Sequence, residues 1–530
     1  MNAIFLVLFS VISFIIAYAT YGRYLAKKWG IDPSIETPAH RLNDGVDYVP
    51  AKAPVLLGHH FSSIAGAAPI IGPIAAAIFG WLPVLLWIVL GSIFFGGVHD
   101  MGSLLASVRH DGKSVGEVIG DNIGEKGKKL FSIFAWLTLI LVIAAFANVV
   151  ANTFAATPSA ATASILFIAL AVAFGILVYR RGASLLVGTI IGVALLVLSI
   201  YLGLKFPLLL SKNVWMVLLL SYIFVASVTP VWILLQPRDY LNSFLLYGML
   251  IGGFVGIMIM GPKIQAPAVT GFVINGTYLF PMLFVTVACG AVSGFHSLVA
   301  SGTTAKQIDT EKDVQLVGYG SMLIEGVLAT LAIISATYIG ADKLGSLLGS
   351  GGPVNVFAEG IGTFMTSFGL PFATGKSFTA LAISAFALTT LDTATRLARF
   401  IFQEMVVSET KETVLTNRFV STGITVVIAG ALAFRGWLAI WPLFGSANQL
   451  LAAIALLTIT IWMKNNGKEY RMALYPMFFL FAVTLTALGL LIMANLTNYV
   501  LLFFGIALFV LALVLISHAR KAFIAGKPLE

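Results

Sequence analysis

Apolar runs of roughly twenty residues recur along the whole chain, parted by short polar stretches. Fifteen such runs are found, at 3–26, 59–80, 82–107, 130–153, 163–179, 184–204, 214–236, 241–261, 280–304, 316–340, 377–404, 418–434, 437–463, 473–494 and 499–518. Most are long enough to cross a hydrocarbon core of about 30 Å. The pattern predicts an all-α polytopic membrane protein with about 15 transmembrane helices. The run at 418–434 is short, and 347–370 is a candidate re-entrant piece.

Two runs carry helix breakers where a span should be smooth. GHHFSSIAGAAPIIGP (58–73) is interrupted around Ile64-Ala65-Gly66-Ala67-Ala68-Pro69, and 214–236 is interrupted at Ala226-Ser227-Val228-Thr229-Pro230. Setting aside the first helix, the next ten divide into two groups of five, each opening with one of these broken helices. Five is odd, so the second group must cross the membrane in the opposite sense. This predicts a 5+5 inverted-repeat core: 1–58 as an N-terminal helix and cytoplasmic loop, 59–213 and 214–404 as the repeats, and 405–530 as accessory helices. Paired interruptions in inverted repeats point to a transporter's binding site. The alternative is two ordinary proline kinks, which membrane helices tolerate.

Composition supports the membrane reading. Of 530 residues, 59% are hydrophobic and 10% charged, against about 25% charged in a typical soluble domain; mean hydropathy is +0.99. The net charge of +9 sits in short loops, so topology explains it and no nucleic-acid partner is implied. With the N-terminus outside, the inner loops and C-terminal tail carry 21 Lys and Arg and the outer loops six. That bias predicts a multi-pass protein of the cell membrane with its C-terminus cytoplasmic. Ala17-Tyr18-Ala19 resembles a signal-cleavage site, but no basic segment precedes it, so the first run reads as a retained helix. The sole cysteine, Cys289, excludes an internal disulfide and a Cys-based zinc site. No GxxxxGK[ST] pattern occurs, which argues against ATP-driven pumping.

The polar residues inside the runs are the candidate chemistry. His59 and His60 either carry a coupling proton or cap the entry of the broken helix. Beyond them, Ser62 and Ser63 offer hydroxyls, while Ala65, Gly66 and Ala67 let a substrate approach unwound backbone. At the other break, Thr229 and Pro230 would set a small carboxylate against the positive end of a half-helix, with Trp232 as a wall. Asp392 lies near the midplane, and Arg396 at i+4 makes an intrahelical ion pair easy; Asp392 is therefore either part of a structural pair or an ion-coupling group. Asp100 and Glu325 are the other acidic candidates: Asp100, a further ion-coupling candidate, follows His99 near an inner helix end, where water would solvate it, whereas Glu325 has no local partner. Asn448 and Gln449 read as amides that lock helix to helix.

Five further stretches have a recognisable order: VHDMGSLLASVRHDGKSVGEV (98–118), LLQPRDYLNSF (234–244), ACGAVSGFHSLVASGTTAKQ (288–307), LTTLDTATRLARF (388–400) and WPLFGSANQLLAA (441–453). With GHHFSSIAGAAPIIGP they resemble the carbon starvation protein A (CstA) family, from about residue 50 to 465. The resemblance implies a secondary transporter related to the amino acid/polyamine/organocation group, with a LeuT-type inverted-repeat fold. It implies uptake of pyruvate or short peptides during carbon starvation, coupled to protons or sodium. In the LeuT-type fold the helix matching 280–304 lends hydroxyls to a sodium site, and Ser293, Ser297, Ser301, Thr303 and Thr304 are available here. His296 on the same run is the proton-coupling alternative.

No cofactor is expected beyond sodium as a coupling ion. The expected partners are a small-molecule substrate and the lipid bilayer, with helices 418–518 either bracing the core or forming a homo-oligomer interface. Two other classes compete. One is a nutrient sensor acting through a partner. The other is a membrane-embedded metalloenzyme, which the absence of HExxH and of three ligands at workable spacing disfavours.

Overall fold

A computed structural model describes residues 1–45, 47–230, 233–406 and 414–526. Each of the fifteen apolar runs carries at least one helix among the described residues. Eleven of the described helices are long and apolar enough to cross a membrane. Ala53–Ile64 and Ala68–Phe79 form one broken span bent by 50°, and Lys212–Val228 and Arg418–Ala433 are shorter apolar helices. The remaining run, expected as one helix over 280–304, is divided into Leu279–Thr286, Ala288–Ala291 and Phe295–Gly302. The candidate re-entrant stretch belongs to Ala341–Met365, a helix bent where Gly352 takes φ 71° ahead of Pro353. An L side chain resists that left-handed φ, so a glycine stands there.

Burial separates core helices from lipid-facing ones. Helices Glu125–Ala156, Gln315–Thr337, Phe372–Val406 and Ala439–Asn465 are buried along most or all of their apolar stretch. Leu185–Lys205 and Tyr499–Ala525 instead expose Leu186, Ile190, Val197, Phe503 and Val510 outward, as expected where lipid replaces water as the solvent. Helix 437–465, expected among accessory elements, is thus a central one. It packs on 125–156, on 81–109 and on 471–494.

The interhelical segments gather at two ends of the bundle. At one end Ala3 N–H donates to Pro262 O at 2.8 Å, Gln265 N–H to Thr337 O at 2.9 Å and Thr270 N–H to Phe79 O at 3.0 Å. A small hairpin, Val273–Ile274 against Thr277–Tyr278, turns at this end through Asn275 and Gly276, both at positive φ. That dipeptide is the preferred two-residue hairpin turn.

At the other end, residues 30–45 and 47–52 cross as a strap over the ends of helices 81–109 and 295–302. The buried carboxylate of Glu311 ties it down. Arg109 donates to both Glu311 oxygens, by Nε to one and by Nη2 to the other at 2.7 Å, and Asp32 N–H donates to the same carboxylate at 2.7 Å. Thr37 Oγ1 donates to Ile308 O at 2.6 Å, Ala51 N–H to Gln307 O at 3.0 Å and Tyr48 OH to Asp111 O at 3.0 Å. Hydrogen bonds from the Ser34 hydroxyl and N–H hold the exposed Asp32 carboxylate below its usual pKa range.

Replacing Glu311 with Gln removes the charge that Arg109 and Asp32 N–H share, a loss of about 1.5–3 kcal/mol for hydrogen bonds to a charged group. The expected outcome is faster trypsin cleavage at Arg41 and Lys52 in purified protein. Cleavage at the wild-type rate would show that the strap is held elsewhere.

Candidate functional site

The first break forms as its residues dictate. Helix Ala53–Ile64 stops at Ala65, Gly66 and Ala67 bend, and a new helix starts at Ala68 with Pro69 in its first turn. Proline is tolerated there because the first N–H groups have no intrahelical acceptor. Ala65, Gly66 and Ala67 are buried, and Gly66 faces Thr390 and Phe146. Ser63 donates to its own helix at His59 O, 2.9 Å away, whereas the buried Ser62 hydroxyl has no partner among the described residues.

The helix that meets this break is not the one predicted. Residues 279–302 cross it, and Gly72 allows the crossing: a methyl group there would lie 2.5 Å from Thr286 O and 3.0 Å from Val287 Cα. This second helix is itself broken, with Val292 in extended conformation at φ −162° and ψ 131°. Asn448 satisfies the exposed backbone. Its carbonyl oxygen accepts from Gly294 N–H at 3.0 Å, and its side-chain Oδ1 accepts from Phe295 N–H at 2.9 Å. Asn448 Nδ2 lies 3.0 Å from Ser293 Oγ. The amide expected to lock helices together does so by holding a helix open. Gln449, the second amide expected in that role, donates to Phe284 O at 2.7 Å.

The interruption at 226–230 is a different feature. Helix Lys212–Val228 ends there, and Thr229 hydroxyl turns back to Val225 O at 2.7 Å. Arg396 donates to Ala226 O at 2.9 Å and Thr229 O at 2.6 Å, and Arg399 to Ser227 O at 2.9 Å. These cations satisfy the last carbonyls and the negative end of the helix dipole. Thr229 is therefore a capped helix end rather than a break facing the first one; Trp232, the expected wall, lies outside the described residues. The expected Asp392–Arg396 pair is corrected too, because Arg396 is committed to those carbonyls.

Four titratable side chains from three elements converge beside the second break. His99 and Asp100 come from helix 81–109, His296 from Phe295–Gly302 and Glu325 from helix 315–337, and each is 0% exposed. Asp100 Oδ1 lies 2.7 Å from His99 Nδ1 and its Oδ2 lies 2.8 Å from His296 Nδ1. On the far side of the ring, His296 Nε2 lies 3.4 Å from Glu325 Oε2, within ion-pair reach though not aligned as a hydrogen bond. His296 thus stands between two carboxylates. Asp100, expected near cytoplasmic water, is buried, and Glu325 finds the partner that its local sequence lacks.

A π-helical turn at Ser92–Gly96 precedes His99 and Asp100, and another at Gln315–Gly320 precedes Glu325. Such turns rotate the remainder of the helix and free a carbonyl; here Tyr319 OH donates to Ile93 O at 3.1 Å. The rings of His99 and His296 both address Asp100 rather than a common point, and no group of three His, Cys, Asp or Glu among the described residues is arranged to hold a metal.

His60 joins this side of the site: its Nδ1 lies 2.8 Å from Thr304 Oγ1, and it is buried. The hydroxyls offered for sodium lie along the same segment. Ser297 donates to Gly294 O at 2.7 Å, Ser301 donates to Ser297 O at 2.7 Å, and Thr303 is exposed. His59, one residue earlier, is only half-buried; its face of the helix packs toward 235–260 and 372–406.

There a second charged cluster stands. Arg238, fully buried, donates through Nη1 to Asp392 and to Tyr222 OH, the latter at 2.6 Å. Tyr222 OH also donates to Asp392 Oδ2 at 2.9 Å. Asp239 receives the Thr389 hydroxyl at 3.0 Å. By sequence alone Arg238 counts as a loop charge. The signal that places it otherwise is Pro237 within the first turn of Leu235–Met260, which puts Arg238 and Asp239 inside the helix.

A helical bundle with two crossing broken spans and buried charge beside them is the architecture of a membrane transporter. The fold agrees with that of a manganese transporter from Eremococcus coleocola, at TM-score 0.53 and 13% identity over 92% of this chain and 99% of that one. The family model for carbon starvation protein CstA matches residues 2–348 and 341–487, and the chain belongs to that family. Relatives include a protein named peptide transporter CstA from Escherichia coli (strain K12), 34% identical over 92% of this chain and 80% of that one. Another from the same strain is named pyruvate/proton symporter BtsT, 32% identical over 92% of this chain and 81% of that one. A Bacillus subtilis (strain 168) peptide transporter CstA is 32% identical over 91% and 89%.

Gly294 tests the second break. A methyl group there would press on Ala452 N, 2.5 Å away, which is backbone that cannot swing aside, whereas nothing lies within 4 Å of one on Gly489. Gly294→Ala should abolish folded, monodisperse protein, while Gly489→Ala leaves thermal stability equal or slightly raised, by up to about 1 kcal/mol. Equal behaviour of the two variants in size-exclusion and melting experiments would contradict the close packing of 294 on 448–452.

Proposed function

We propose that this chain is a proton-coupled secondary importer of pyruvate or short peptides in the cytoplasmic membrane, working by alternating access. The observation that carries the reading is the buried line Asp100–His296–Glu325, which joins three helices at the second break. With His296 charged between two carboxylates the trio has one negative charge in excess, and a proton on Glu325 makes it neutral. A neutral trio is cheaper to keep in a dry, closed carrier. Proton loading thereby favours closure, and proton release on the far side favours reopening. His60 and His99 stand within the same site as its further titratable groups.

Protons are preferred to sodium because the buried groups gathered at the second break, Asp100, His296 and Glu325, are titratable, while Thr303 among the hydroxyls offered for sodium is exposed. The name of the symporter relative supports pyruvate and protons, and the names of the peptide transporters support peptides. Both substrate classes carry a carboxylate.

The transport core is an inverted repeat of LeuT type, made of residues 53–205 and 279–465 rather than 59–213 and 214–404. Helices 212–228 and 235–260 are inserted between the halves. Reciprocal packing supports this division. The first helix of each half packs on the second of the other: 68–76 on 321–337, and 295–302 on 97–109. Counted without the bent helix Ala341–Met365, the third helices, 125–156 and 372–406, pack on each other, and each also packs on the fourth helix of the opposite half. Five helices plus two inserted ones keep the second half inverted. The strap end, where Arg109, Lys113 and Lys306 lie, is the cytoplasmic one by the positive-inside rule.

Uptake in proteoliposomes tests the reading, with labelled pyruvate and labelled di- or tripeptides under separately imposed proton and sodium gradients. The expected result is accumulation driven by the proton gradient. Glu325→Gln should abolish that accumulation and retain substrate exchange, since Gln mimics the protonated acid. No uptake of either class, or uptake driven by sodium alone, would overturn the proposal.

A further inference from the structure

Arg238 has two nitrogens left over. Nη1 serves Asp392 and Tyr222, whereas Nε and Nη2 have no hydrogen-bond partner among the described residues, although the side chain is fully buried. Nε and Nη2 form one edge of the planar guanidinium, with parallel N–H groups at the spacing of the two oxygens of a carboxylate. The nearest anion to that edge is Asp239 Oδ1, 3.6 Å from Nη2 and beyond hydrogen-bond distance. Asp239 already receives the Thr389 hydroxyl at 3.0 Å, and it is placed one residue along the same helix.

Leaving charged donors unmatched in a dry interior is costly, more so than for neutral groups. Asp392 and Tyr222 fix the guanidinium from behind, so the open edge is held rigid rather than swinging with a free side chain. It lies in the first turn of Leu235–Met260, where the helix dipole adds positive potential. It also lies on the side of the first broken helix that carries His59, within electrostatic reach of Asp239.

We infer that the Nε–Nη2 edge of Arg238 is a receptor for the carboxylate of the transported molecule, and that Asp239 competes for it. This rests on the transporter reading above and adds its recognition chemistry: the edge takes the group that pyruvate and a peptide's C-terminus share. Asp392 and Tyr222 are positioning residues, and Arg238 makes the contact. Asp239 sets affinity by repelling the incoming anion.

The test is binding to purified full-length protein, read by thermal shift, of pyruvate against pyruvamide and of a dipeptide against its C-terminal amide. The free acids should stabilise the wild type and the amides should not. Arg238→Lys keeps the charge but loses the two-pronged edge, and should weaken acid binding by about tenfold or more. Asp239→Asn leaves the Arg238–Asp392 pair intact and should bind the acids severalfold more tightly, which keeps the test decisive if Arg238→Lys fails to fold. Equal binding of acid and amide, no stabilisation by any acid, or unchanged affinity in Asp239→Asn would overturn the inference. Failure of wild-type uptake would instead strike the transporter reading, whereas uptake with equal preference for acid and amide strikes the Arg238 receptor alone.

Discussion

Hydrocarbon offers nothing to a bare backbone amide, so a broken helix inside a membrane survives only where protein supplies the missing partners. Asn448 is that partner here. Its own carbonyl and its side-chain oxygen accept from consecutive amides, Gly294 and Phe295. Helix 437–465 must therefore run through the centre of the bundle. Once it is there, 279–302 can carry a non-helical turn beside buried charge, and His296 is set between Asp100 and Glu325.

How much of this was legible in the sequence depends on whether the cause was local. Apolar length is local, and each of the fifteen runs carries a helix. The break at 65–67 is local too, written in Gly66 and Pro69. The break at 292–294 has no proline, and its extended residue is a valine; its cause is Asn448, more than 150 positions away. ASVTP misled for the opposite reason. Its proline marks a true end of a helix, but whether such an end faces a binding site or a pair of capping arginines is a tertiary matter. Arg238 reads as a loop charge because a charge next to an apolar run looks alike at an interface and in a core. The glycines gave half a signal: Gly290 and Gly294 flank the second break without the proline that draws the eye.

The two adjacent histidines show how one helix serves two neighbourhoods. Successive residues of an α-helix point about 100° apart. His60 therefore reaches Thr304 and the Asp100–His296 side, while His59 looks toward Asp239 and Arg238. No local pattern separates such neighbours, since both rings sit in the same apolar run. The half-helix 53–64 touches both charged clusters, so a tilt of that one element alters the surroundings of both at once.

The strap at residues 30–52 bears on how the molecule is made. Its anchor is Glu311, which lies 279 residues after Asp32 and 202 after Arg109. Both partners leave the ribosome long before the carboxylate that they need. Through most of synthesis, Arg109 is an unpaired cation at the end of an already inserted helix, and residues 30–52 are an unanchored loop. That end of the bundle is consequently sealed only after the helix ending at Gly302 has been threaded. Until then a conspicuous, protease-accessible loop distinguishes the unfinished chain from the finished one, giving quality control a simple feature to read.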